Sequence, residues 1–136
     1  MRHIYSCPLR WADMDAYGHV NNVVFLRYLE EARINFLFRP DKDFKQGSVV
    51  ARHEIDYKRQ LVHRHTPVDI EMWVTQIRAA SFTITYEVKD PDQVYVTAST
   101  VIVPFDFEQQ RPRRITAEER DFLESYRDDA DEAVAA

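Results

Sequence analysis

The 136-residue chain is 45% apolar and 30% charged with a formal net charge of −5, a balance that excludes a disordered tail protein and predicts one domain over 1–136 that buries roughly 68% of its unfolded surface. No apolar run approaches the 18 or so residues of a membrane span, and Met1-Arg2-His3-Ile4-Tyr5 lacks the apolar stretch of a secretory leader. With one cysteine, Cys7, and so no internal disulfide, and only two glycines, Gly18 and Gly47, the chain reads as a cytoplasmic protein without a dinucleotide loop, a P-loop or a nucleophile elbow.

The segment His3 to Trp11 predicts a first strand. It is followed by Arg10-Trp11-Ala12-Asp13-Met14-Asp15-Ala16-Tyr17-Gly18-His19-Val20-Asn21-Asn22, a stretch denser in polar, turn-forming and aromatic residues than the rest of the chain. Residues 23–38 then carry Phe25, Leu29, Ala32 and Phe36 at helical spacing, with Leu26 and Leu37 widening the stripe. Asn21 or Asn22 caps the start and Pro40 forces the end.

Strict alternation over 49–57, 68–74 and 82–88 predicts three strands, and turns fall at Arg78-Ala79-Ala80-Ser81 and Asp90-Pro91-Asp92. A fourth strand, Val94 to Phe105, is apolar at 94, 96 and 98 and then at 101, 103 and 105, which predicts a bulge near Ser99-Thr100. Thr116-Ala117-Glu118-Glu119 is a capping box opening a last helix over about 116–128, with a frayed acidic tail beyond it. Residues 117–136 carry a net charge of −6 and residues 1–116 a net +1. The body is therefore near neutral, with no electrostatic footprint for nucleic acid. The order β-α-β-β-β-β-α gives an α+β fold, a long central helix covered by a curved antiparallel sheet.

Metal chemistry has little to start from: no H-E-x-x-H stands in the chain, and His63-Arg64-His65 reads as a solvated basic turn. The loop 10–22 offers more. Its carboxylates precede a helix whose first N–H groups lack intrahelical partners and whose dipole end is positive, so an oxygen gaining negative charge there is stabilised. A base or nucleophile facing an oxyanion hole suits acyl transfer.

The pattern Asp13-x-Asp15-x-x-Gly18-His19-Val20-Asn21-Asn22, followed by Phe25-Leu26-x-Tyr28-x-Glu30-x-Ala32-Arg33, resembles the signature of hot-dog-fold acyl-CoA thioesterases of the 4-hydroxybenzoyl-CoA thioesterase type. The likeness extends to His53-Glu54-Ile55-Asp56-Tyr57, to Ser81-Phe82 and to Ala98-x-x-Val101-x-Val103-x-Phe105-Asp106. It implies a single hot-dog domain, hydrolysis of an acyl-CoA thioester without cofactor or metal, and a homo-oligomer, either a dimer or a dimer of dimers. It makes Asp15, the second acid of the pair, the catalytic carboxylate, leaving attack by Asp15 and activation of water both open with the second preferred. The backbone N–H of Asn22 becomes the carbonyl-polarising group. Gly18, His19 and Asn21 are candidate substrate-binding residues, as is Arg59 for the phosphates of coenzyme A; His19 is either an acid or base or, as its place beside two asparagines favours, a residue that orders the loop, and Asp13 is read as structural. Phe25 departs from the pattern, since relatives often carry tyrosine there.

Other residues stay open between function and plain structure. Glu30 is either a second carboxylate over the substrate or an i, i+3 partner of Arg33. Tyr57, Trp73, Phe82 and Tyr86 line an acyl pocket or fill the core. Arg59, His63, Arg64, His65, Arg113 and Arg114 suit the phosphates of coenzyme A, yet Arg113 and Arg114 can equally pair with the acidic last helix. Two rival functions are an acyl-[acyl carrier protein] thioesterase and a non-catalytic acyl-binding module. Retention of Asp15 with the whole helix-start motif argues against the second.

Overall fold

Residues 1–38 and 47–128 are described by the computed structural model. In chain order they form β1 (His3–Cys7), a 3-10 turn (Trp11–Asp13), α1 (Asn22–Leu37), β2 (Ser48–Tyr57), β3 (Val68–Ile77), β4 (Phe82–Lys89), β5 (Val94–Asp106), β6 (Arg111–Pro112) and α2 (Ala117–Ser125). The predicted order is present, with the 3-10 turn and the two-residue β6 added. The first strand stops at Cys7 because Pro8 follows it, a residue with no N–H to continue the ladder.

All strand pairs are antiparallel, and the sheet runs β1-β3-β4-β5-β2 with β6 against β5. α1 lies across one face of it. Phe25, Leu29, Ala32 and Phe36, the helical stripe of the sequence, are buried against Ile70, Met72, Ile84, Tyr86 and Val88 in a single cluster. One flank of α1 faces β1, where the His3 ring stacks on Phe36 and its Nε2 lies 2.7 Å from Asn35 Oδ1. The other flank faces β2, where the Phe25 and Tyr57 rings lie 5.8 Å apart. This is the curved-sheet-over-helix arrangement of the hot-dog fold.

Of three local expectations, one is met, one lies outside the described residues and one fails. Of the two possible caps, Asn21 is the N-cap: its side chain accepts the Val23 N–H at 3.0 Å. α1 ends at Leu37, and Pro40 lies outside the described residues, as does the acidic tail beyond Asp128. The bulge expected near Ser99-Thr100 is absent. β5 keeps one phase from Val96 through Ala98, Thr100, Ile102 and Pro104, all buried. The apparent slip arises because the inward residue Thr100 is polar, its hydroxyl accepting the Tyr86 hydroxyl at 2.8 Å, while Val101, Val103 and Phe105 are half-buried on the opposite face. The register shifts fall instead at Val50/Arg52, Val74/Gln76 and Val88/Lys89.

Candidate active site

The loop between the 3-10 turn and α1 is built on Asp13. This carboxylate is 4% exposed and takes three side-chain hydrogen bonds: Arg10 donates through Nη2 at 2.8 Å and Nε at 3.2 Å, and the Tyr28 hydroxyl donates at 2.7 Å. The Arg10 guanidinium holds the Asp13 carboxyl below the usual carboxylate range, against the opposing pull of burial and with help from Tyr28. Asp13 also accepts the Asn21 N–H on its backbone oxygen at 3.0 Å, so it pins the loop where it meets the helix. Its acceptors are occupied and its side chain is buried, which makes it a structural anchor.

Asp15 is placed differently. Its Oδ1 accepts the Tyr17 N–H at 2.8 Å and the His19 N–H at 3.3 Å, an Asx-type turn, and its own N–H donates to the His19 oxygen at 2.7 Å. Gly18 closes the turn at φ +80, a left-handed conformation that favours glycine, and donates to the Asp15 oxygen at 3.1 Å. Met14 and Val20 bridge beneath it. The half-buried Asp15 thus keeps Oδ1 engaged by the backbone, while Oδ2 has no partner among the described residues.

At the start of α1 the Val23 N–H goes to the Asn21 side chain and the Val24 N–H to the Asn21 oxygen at 2.9 Å. The exposed Asn22 N–H has no acceptor among the described residues, so it is an open donor at the positive end of a sixteen-residue helix. The Tyr57 hydroxyl donates to the Asn22 oxygen at 2.9 Å, and the Val20 N–H donates to the Leu61 oxygen at 2.7 Å. The segment after β2 is thereby tied to the loop at both ends, and Arg59 lies exposed between the two ties with no carboxylate partner among the described residues.

Asp15, Gly18, His19, Asn21 and Asn22 therefore share one loop and helix start, and Arg59 lies in the segment whose residues Tyr57 and Leu61 are bonded to it. Gly18 and Asn21 act there through the backbone they shape. Arg113 belongs elsewhere: it forks onto Glu119 at 2.8 and 2.9 Å, so the alternative of pairing with the last helix holds. Glu30 and Arg33 are not paired with each other. Cys7 is buried and its thiol is pushed up to about 12, chiefly by that burial, so it is no nucleophile. The supports Tyr28 and Arg10 carry no assigned role in the sequence reading. Arg10 was findable as an i, i+3 neighbour of Asp13, whereas Tyr28 lies fifteen residues away and meets Asp13 only once α1 has docked.

A structure described as a predicted thioesterase from Bacillus stearothermophilus is 27% identical and superposes with a TM-score of 0.84 over 93% of this chain and 96% of that one. A thioesterase from Thermus thermophilus, solved in complex with coenzyme A and zinc, is also 27% identical, with a TM-score of 0.80 over 90% of this chain and 92% of that one. YsmA of Bacillus subtilis, a protein of uncharacterised role, is 27% identical over 119 residues, 85% of this chain and 80% of YsmA. The family model of the thioesterase-like superfamily matches residues 9–124, and the chain belongs to that superfamily as a hot-dog-fold member of the 4-hydroxybenzoyl-CoA thioesterase type.

Proposed function

We propose that the protein hydrolyses acyl-CoA thioesters in the cytoplasm, with Asp15 as general base and the Asn22 N–H as oxyanion donor. One observation carries the reading: a carboxylate with one oxygen tied to the backbone and the other unengaged shares an eight-residue segment with an unpartnered helix-start N–H. Asp15 Oδ2 takes a proton from a water, whose oxygen adds to the thioester carbonyl. The carbonyl oxygen, now negative, is held by the Asn22 N–H and the helix dipole. Collapse breaks the carbon–sulfur bond, the coenzyme A thiolate recovers the proton, and the products are the free acid and coenzyme A. The same N–H would polarise the carbonyl if Asp15 attacked directly, but the backbone bonds on Oδ1 fix the carboxylate in its turn and favour a base that moves a proton over a nucleophile that must move its carbon.

The carrier is read as coenzyme A because Lys58 and Arg59 lie exposed between Tyr57 and Leu61, the two residues bonded to the loop, and can offer cations to phosphates, and because the Thermus thermophilus relative was solved with coenzyme A. A homodimer fits the same picture. β2 is a ten-residue strand at the sheet edge, paired on one side only among the described residues, and its Tyr57 reaches the site. Pairing of β2 with its copy removes the open edge and sets each site at the interface.

A screen of thiol release over short, branched, long and aromatic acyl-CoAs, with the best acyl group repeated on an acyl carrier protein, tests the reading. Release from at least one acyl-CoA, faster than from the carrier protein, is expected. No release from any would leave a binding module. A single turnover in ¹⁸O-labelled water separates the mechanisms: base catalysis labels the first acid product, and an unlabelled product with label in Asp15 overturns it.

A further inference from the structure

Residues 58–67, between β2 and β3, form no helix or strand, yet the chain there is held from two sides. Toward the candidate site, the Tyr57 hydroxyl at the end of β2 donates to the Asn22 oxygen, the Leu61 oxygen accepts the Val20 N–H at 2.7 Å, and the His63 ring meets Trp11 edge-on at 5.7 Å. Toward the turn between β4 and β5, the Lys58 and Arg59 N–H groups both donate to the Tyr95 oxygen, at 2.8 and 3.1 Å, and Arg64 Nη1 donates to Asp90 Oδ2 at 2.8 Å. The segment is therefore a strap that joins that turn to the loop of Asp15 and the start of α1.

Asp90 is the fixed end of the strap. Its Oδ1 accepts the N–H groups of Asp92 and Gln93 at 2.9 and 3.0 Å, an Asx turn that locks the carboxylate to its own backbone. Its Oδ2 accepts two donors, Arg64 Nη1 and the hydroxyl of the buried Tyr95, to which Gln93 Nε2 also donates at 3.1 Å. The Tyr95 and Arg64 bonds hold the Asp90 carboxyl below the usual carboxylate range, so it is ionised at neutral pH. Both kinds of tie thus depend on this carboxylate: Arg64 is bonded to it directly, and the Tyr95 whose backbone oxygen takes Lys58 and Arg59 has its side chain fixed by it. Arg64 itself is half-buried, with its Nε buried and without a partner among the described residues, so it is committed to a protein carboxylate rather than offered to phosphates.

What the other end of the strap holds is Val20. This buried residue follows His19, whose N–H lies on Asp15 Oδ1, and precedes Asn21, the cap of α1. A shift of Leu61 moves Val20 and with it the spacing between the Asp15 carboxylate and the Asn22 N–H, the two groups that the proposed reaction aligns. Misplacement by about 1 Å in such a constellation costs about a hundredfold in rate.

We propose that Asp90, in the turn between β4 and β5, is a positioning residue for the hydrolytic site: through Arg64 and Tyr95 it sets the strap, and through Val20 the strap sets Asp15 against the Asn22 N–H. The proposal rests on the hydrolase reading above and adds to it a residue outside the loop and helix that carry the chemistry.

The test pairs turnover with amide exchange in the full chain, each variant held well below its own unfolding transition. Asp90→Asn keeps an oxygen for the Asp92 and Gln93 N–H groups, so the turn is preserved, and sets an amide nitrogen against the Arg64 and Tyr95 donors. It is expected to lower kcat for the best acyl-CoA about tenfold with KM altered less than about twofold. Arg64→Met is expected to lose as much, and the double variant no more than either single change, because both act by one route. Arg64→Lys is expected to recover most of that loss, since a single nitrogen reaches Asp90 in the native pair; a mere packing role for the stem predicts that Met serves as well. Read by NMR without reference to turnover, exchange of the Val20 amide is expected to quicken at least about tenfold in Asp90→Asn while amides in the middle of β4 keep their wild-type rates. An unchanged kcat or an unchanged Val20 exchange in Asp90→Asn would overturn the proposal, as would a raised KM confined to Arg64→Met, which would make Arg64 a phosphate ligand. If the wild type releases no thiol, the hydrolase reading fails by itself, and quickened Val20 exchange still assigns the placing of the loop to Asp90.

Discussion

Asp13 and Asp15 are two residues apart and sit in opposite environments, and the difference is set by what surrounds each oxygen. Asp13 is buried with both oxygens bound by Arg10 and Tyr28; Asp15 is half-buried with one oxygen unengaged. Because the folded Asp13 carboxyl lies below its unfolded value, chiefly through Arg10, it adds stability that is fully present above about pH 4 and is lost as pH falls below that toward the folded value. Glu71 and Glu119 are depressed in the same direction and act over the same range. Asp13→Asn is therefore expected to lower stability at neutral pH and to make the acid limb shallower, read from urea midpoints at pH 7, 4 and 3. An unaltered slope would show that Asp13 is not a charged anchor. The short-range part of this site was legible in the sequence, because Asx turns, the Gly18 turn and the Asn21 cap are written in neighbouring residues. The Tyr28 hydroxyl and the Tyr57 contact with Asn22 were not, since each depends on tertiary docking.

Among the elements, α2 shows how far local chemistry reaches. Thr116 and Glu119 form the expected capping box: the Glu119 N–H donates to Thr116 Oγ1 at 3.1 Å and the Thr116 N–H donates to Glu119 Oε1 at 2.9 Å. Glu119 is 2% exposed, and the Arg113 fork is its only ion pair among the described residues. Arg113→Met, which strands a buried carboxylate, is expected to cost about 3–5 kcal/mol in urea unfolding; a loss under about 1 kcal/mol would mean that the helix cap alone satisfies Glu119. The strands teach the complementary lesson. Alternation located β3 and β4 well, because their buried faces are uniformly apolar. On β5 a single buried polar residue, Thr100, was enough to mislead the phase, since its partner Tyr86 lies on another strand and leaves no trace in the local pattern.

At the scale of the whole molecule, the sheet ends on one side at β1 and on the other at β2. The first edge is short, five residues, and the segment Tyr126–Asp128 continues it against Val74. The second is twice as long, exposed along most of its length and bonded through Tyr57 to the start of α1. Light scattering is expected to give a dimer or a larger even-numbered assembly at micromolar concentration; a fully active monomer would contradict the interface and the placing of the site at it. The central claim, that the loop of Asp15 and the start of α1 form one catalytic unit, is tested most directly by the turnover of Asp15→Asn. The amide keeps an oxygen to accept the Tyr17 and His19 N–H groups, so the turn is preserved while the base is removed. With the fold confirmed by an unchanged unfolding transition, acyl-CoA hydrolysis is expected to fall at least about a hundredfold in kcat with KM little altered, and hydrolysis at near wild-type rate would contradict the account.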